Sequence, residues 1–116
     1  MAGHTVVTTD EFTEWFVELS AAEKRSVGFL IELLEQQWLR LPYPYSSAIR
    51  ASKYAFRELR SKQKGLPLRI IYCFSPERNA VLIIGGNKAG NHRFYDQIIA
   101  QAERIWERYL ASLEEI

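Results

Sequence analysis

The chain has 116 residues, 47% of them apolar and 25% charged, which suits one domain over residues 1–116 with a core that needs neither disulfides nor a metal. No apolar run approaches the roughly 18 residues of a membrane span, and the first residues lack the basic start and apolar stretch of a signal peptide, so a cytoplasmic protein is expected. The net charge of +1 hides a segregation, from −4 over residues 1–49 to +8 over 50–93 and −3 over 94–116, and such asymmetry points to a nucleic-acid or other anionic partner at the middle segment.

Thr5-Val6-Val7-Thr8 opens the chain as a short candidate strand. Asp10 then offers an N-cap to a helix whose Phe12, Trp15, Phe16 and Leu19 fall at i, i+3, i+4 and i+7, a core-facing stripe. Ser20 and Glu23 make a capping-box pattern that ends this helix and begins the next. The second helix places Val27, Leu30, Ile31, Leu34 and Trp38 on one side and Glu32, Glu35 and Gln36 on the other, so the two helices should form a hairpin laid on a sheet. From Leu39 to Lys53 the periodicity breaks at Leu-Pro-Tyr-Pro-Tyr, which sustains neither helix nor central strand. A surface loop is predicted there, with two tyrosines near Arg50 and Lys53 that could stack on bases.

Between Tyr54 and Lys88, three runs rich in β-branched and aromatic residues are separated by Ser-Lys-Gln-Lys-Gly and Ser-Pro-Glu-Arg-Asn. This predicts an antiparallel three-strand meander, because the connections are too short for crossover helices. Cys73 falls inside an apolar strand and reads as a small buried hydrophobe rather than a nucleophile. Gly85-Gly86 marks a turn or a close backbone approach at a strand end. A donor-rich connection, Asn87 to Tyr95, leads into a last helix from about Tyr95 to Leu113 with a wide apolar face. The predicted order is therefore β, α, α, β, β, β, α, an α+β fold.

Phe56-Arg57-Glu58-Leu59-Arg60, Leu68-Arg69-Ile70-Ile71-Tyr72-Cys73-Phe74 and the Gly85-Gly86-Asn87-Lys88 strand end resemble the HigB branch of the RelE toxins. The resemblance implies a RelE-like fold, a helical hairpin and a C-terminal helix packed around a twisted antiparallel sheet. It also implies the toxin of a type II toxin-antitoxin pair, an endoribonuclease that cuts messenger RNA on the ribosome and is held inactive by a cognate antitoxin, expected to be a helix-turn-helix protein. Two other readings stay open: a non-cleaving toxin that binds DNA gyrase, like the related ParE toxins, and a non-toxic nucleic-acid-binding regulatory subunit.

The chemistry follows independently of the family. RNA can be cut without a metal or cofactor when the ribose 2′-hydroxyl is the nucleophile, leaving the protein to supply a cationic clamp on the phosphate, a base and an acid. Arg60, Arg69 and Lys88, near strand ends, are the candidate clamp, since neighbouring strands lie about 5 Å apart. Tyr95 could transfer protons if surrounding cations lower its pKa. His92 is the other proton-transfer candidate, or a solvated loop histidine. Arg57, Lys62, Lys64 and Arg93 are candidate RNA contacts. Glu58 shares a strand side with Phe56 and Arg60, and a structural pairing that orients an arginine is expected for it. No His, Cys, Asp and Glu spacing suggests a metal site.

Overall fold

A computed structural model describes residues 4–114. Among them the chain forms β1 (Val6–Thr8), α1 (Asp10–Val17), α2 (Ala21–Gln37), a short 3₁₀ turn (Trp38–Arg40), β2 (Ser46–Ala48), β3 (Arg57–Arg60), β4 (Leu68–Phe74), β5 (Ala80–Asn87) and α3 (Phe94–Leu113). The strands make one sheet in the order β1-β5-β4-β3-β2, antiparallel except where β1 runs parallel to β5. The α+β class and the β3-β4-β5 meander are as predicted. The element order is corrected by one strand: Ser46–Ala48, expected within a loop, pairs with Arg57–Leu59 as β2.

The sheet is buried on both faces. On one, Phe12 of α1 and Val27, Leu30 and Leu34 of α2 pack with Leu59, Leu68, Ile70, Tyr72 and Leu82. On the other, Phe94, Ile98, Ala102, Ile105 and Trp106 of α3 pack with Phe56, Ile71, Cys73, Val81, Ile83 and Ile84. Burial on two faces is why β4 and β5 read as continuous apolar runs rather than alternating ones. The pairing of β4 with β5 shifts register between Ile71 and Tyr72, which face Ile84 and Leu82, so Ile83 is an extra residue. A bulge of this kind re-aims side chains locally, and Ile83 and Ile84 both join the α3 core.

Capping residues fix where the helices start. Ser20 and Glu23 make the reciprocal capping box, at 3.1 and 2.8 Å. For α1 the cap is Thr9 rather than Asp10. The Thr9 hydroxyl accepts from the Phe12 N–H (3.0 Å) and donates to the Ile83 carbonyl (2.7 Å), tying the helix to the bulged strand. Asp10 is instead the first helical residue, where its charge complements the helix N-terminus.

The glycine pair proves to be a close approach on both faces. A Cβ on Gly85 would lie 2.3 Å from the Trp15 ring, and one on Gly86 would lie 2.8 Å from Phe94. Gly86 therefore lets the N-terminus of α3 sit directly on β5, and this seating carries Tyr95 toward the end of β3.

Candidate active site on the α3 face

Alternation along β3 sends Phe56, Glu58 and Arg60 to the α3 side of the sheet and Arg57 and Leu59 to the other. The register sets Arg60 opposite Arg69, and Arg69 opposite Gly86. Two arginines and a glutamate thus meet on one face, beside the start of α3. The next turn of chain after β5 adds Lys88, whose backbone N–H donates to the Pro67 carbonyl (3.1 Å).

Glu58 is the hub of this cluster. Only 4% exposed, it accepts from the Tyr95 hydroxyl on Oε1 (2.7 Å) and from Arg60 Nη1 on Oε2 (3.3 Å). Arg69 Nε lies 3.7 Å from Oε1, an ion pair longer than a hydrogen bond. Arg69 is also buried and donates through Nη1 to its neighbour's carbonyl, Leu68 O (2.9 Å). A buried carboxylate with this set of donors keeps both guanidiniums in place, the structural pairing expected for it. The Nε groups of Arg60 and Arg69 are buried with no hydrogen-bond partner. An unmatched buried donor is costly, and for Arg69 the Glu58 carboxylate at 3.7 Å offsets part of that cost.

The cluster opens onto a hollow of about 490 Å³ lined by Ile49, Arg50, Glu58, Arg60, Lys88 and Tyr95, with Ala48, Ala51 and Ile99 completing the wall. Lys88 Nζ lies 5.5 Å from the Tyr95 ring centroid, and the Arg60 guanidinium lies 5.4 Å from that of Tyr43. Three cations against one carboxylate leave the hollow positive, and Arg69 adds a fourth from behind.

Tyr95 corrects an expectation. Burial first, then donation to Glu58, pushes its pKa above the ordinary tyrosine value, and the opposing pull of Arg69 does not reverse this. The reason is geometric: the hydroxyl is committed to the carboxylate, and the cations are themselves paired with that carboxylate. Tyr95 therefore keeps its proton at neutral pH, which suits a donor and removes it as a base.

The other sequence candidates lie elsewhere. His92 and Arg93 are exposed in the connection before α3 and do not line the hollow. Arg57 points to the α2 side, where its Nε donates to the Ser46 hydroxyl (2.9 Å), itself 2.7 Å from the Tyr72 hydroxyl. Lys64 is exposed in the β3–β4 turn, and Lys62 sits over the Tyr45 ring at 5.6 Å. Arg60, Arg69, Lys88 and Tyr95 are brought together. Arg50, from the segment predicted as a loop, joins them and was not among the candidates; its only signal was its place at the start of the basic segment. Cys73 is buried away from the hollow, and burial pushes its thiol up to about 11. Among the described residues no group of three His, Cys, Asp or Glu side chains is placed to hold a metal ion.

Residues 14–107 match the family model described as phage derived protein Gp49-like (DUF891). A Mycobacterium tuberculosis protein bearing the toxin name HigB3 is 36% identical over 109 residues, covering 92% of this chain and 94% of the relative. A second from the same organism, bearing the toxin name HigB2, is 30% identical over 109 residues, and this chain spans only 54% of its length. The free-state structure of a double-arginine mutant of Escherichia coli toxin RelE superposes with a TM-score of 0.59 over 84% of this chain and 96% of that one, at 8% identity, a likeness of fold. The chain belongs to the Gp49-like family as a HigB-like toxin, with the fold of RelE.

Proposed function

We propose that this RelE/HigB-like toxin is a metal-independent endoribonuclease that cuts messenger RNA on the ribosome, and that a cognate antitoxin, a helix-turn-helix protein, holds it inactive. The observation that carries the proposal is the convergence of Arg60, Arg69 and Lys88 with Tyr95 around one open, positive hollow.

In this reading the scissile phosphate enters the hollow and meets Arg60 and Lys88, whose N–H donors stabilise the charge that builds on its oxygens as the 2′-hydroxyl attacks, gives its proton to solvent water in the open hollow and displaces the 5′-oxygen. One such donor contributes roughly 3 kcal/mol to the barrier. Arg69 and Glu58 are positioning residues. Arg69 is too buried to reach far into the hollow, and Glu58, with two hydrogen-bond donors and the Arg69 ion pair, holds the guanidiniums and the Tyr95 hydroxyl in place. Tyr95, which lines the hollow and whose hydroxyl turns from Glu58 to the leaving oxygen, is the proton donor there.

Expression in a bacterial host, with transcripts mapped by primer extension, tests the proposal. The wild-type protein should arrest growth and leave cut transcripts, and Arg60→Ala and Lys88→Ala should abolish both while circular dichroism shows a native fold. Growth arrest with intact transcripts would contradict it.

A further inference from the structure

The aromatic residues of the segment before β2 and the exposed face of α2 take no part in the clamp, yet they continue its surface. Tyr43 lies against Arg60 on the rim of the hollow. Two residues on, Lys62 sits over Tyr45, and Tyr45 meets Phe29 edge-on with ring centroids 6.2 Å apart. Around them Arg25, Phe29, Tyr45, Ser61, Lys62 and Gln63 wall a cleft of about 310 Å³ that also touches Ser26 and Leu30. Its walls hold two cations and no carboxylate. Phe29 is 52% exposed and Tyr43 is 70% exposed, so large apolar faces stand in water.

We infer that this cleft is a subsite for a nucleotide flanking the scissile phosphate. An unpaired base enters against Phe29 and Tyr45, Tyr43 offers a second face beside Arg60, and Arg25 and Lys62 meet the phosphates on either side. Rings alternating with cations are the chemistry that holds single strands without reading their sequence. The cleft opens on the α2 side of the sheet and the hollow on the α3 side, and they are joined around the sheet edge by Tyr43 against Arg60 and by Lys62, whose Cα lies at most about 7 Å from that of Arg60. An acidic protein segment would also be drawn to the cations. The continuity with Arg60 through Tyr43 favours instead a chain in which phosphates recur beside flat groups. The inference rests on the RNA-cleaving reading and extends it from the phosphate to the adjoining nucleotide.

Binding of an uncleavable 2′-O-methyl RNA hexanucleotide and of the matching dinucleotide, followed by fluorescence anisotropy, tests it. The wild-type protein should prefer the hexamer, and in Phe29→Ala, an exposed position whose loss leaves the core intact, the hexamer-to-dinucleotide affinity ratio should fall about tenfold. Removing both Arg25 and Lys62 should flatten the salt dependence of hexamer binding by about two charges. An unchanged ratio in a folded Phe29→Ala protein would overturn the subsite, as would a wild-type protein that shows no preference for the hexamer. Loss of antitoxin binding in Phe29→Ala with hexamer binding intact would assign the surface to a protein partner instead. Failure of the cleavage reading shows separately, as growth arrest by the wild-type protein with its transcripts intact.

Discussion

Both ends of the contact between α3 and the β3 region carry a tyrosine that donates to a glutamate with a lysine over its ring. At the site, Tyr95 donates to Glu58 and Lys88 lies 5.5 Å from the ring; at the far end, Tyr54 donates to Glu107 and Lys53 lies 5.5 Å from the ring. Lys53 also pairs with Glu107 at 3.3 Å, and Ser52 donates to Glu103 at 2.7 Å. The chemical groups are nearly the same, and their surroundings are not. Glu58 is buried between two arginines, so its charge has no water to screen it, whereas the Tyr54, Lys53 and Glu107 groups stand in solvent. Desolvation makes one arrangement a rigid buried cluster and leaves the other a surface staple between a loop and a helix.

The comparison is broken most severely by removing the buried carboxylate. Glu58→Ala leaves Arg69 buried without a counter-charge and frees Arg60, and should destabilise the fold by about 3 kcal/mol, read as a lowered midpoint in urea unfolding. Gly86→Ala acts next, from the backbone side. Its methyl meets Phe94 at 2.8 Å, so α3 must lift at its N-terminus; a loss of about 1–3 kcal/mol is expected, with cleavage falling more than stability because Tyr95 moves with the helix. A crystal structure of the variant would show the Tyr95–Glu58 hydrogen bond lengthened.

Tyr54→Phe should have the smallest effect, leaving the thermal midpoint near that of the wild type. The Glu107 hydrogen bond holds the Tyr54 pKa up to about 12, and Tyr54 in turn lowers that of Glu107. A tyrosine raised in the folded state contributes stability that is fully present below its unfolded pKa of about 10 and is lost as pH rises through about 12. A lowered carboxylate contributes above its unfolded pKa and is lost as pH falls through the folded one. The staple therefore holds across neutral pH and weakens at both extremes, and a wild-type minus Tyr54→Phe stability difference that peaked in acid would contradict this.

The two ends differ also in how far the sequence disclosed them. The strand pattern Phe-Arg-Glu-Leu-Arg places Glu58 and Arg60 on one face by alternation alone, and the apolar runs place Arg69 on the neighbouring strand. Local periodicity and short connections carry that information. Ser46–Ala48 has no such signal: two serines and an alanine between Tyr45 and Ile49 become a strand only because β3 presents a partner edge. Parallel pairing of β1 with β5 is likewise a long-range fact, joining Val6 to Ala80. The direction of the Tyr95 shift was not legible either, since charge counts around a residue do not say which charges are already paired. Alternation separates Arg57 from Arg60 by face, and the hydrogen bond that ties Arg57 to Ser46 on the α2 side was not legible.

The account's central claim is that the buried cluster, and not its exposed counterpart, performs the chemistry. Single-turnover cleavage of a messenger RNA on programmed ribosomes tests this most directly, comparing Arg60→Ala and Tyr95→Phe with Tyr54→Phe. The account predicts a loss of about 100-fold or more for the first two and the wild-type rate for the third. Equal rates in all three would contradict it.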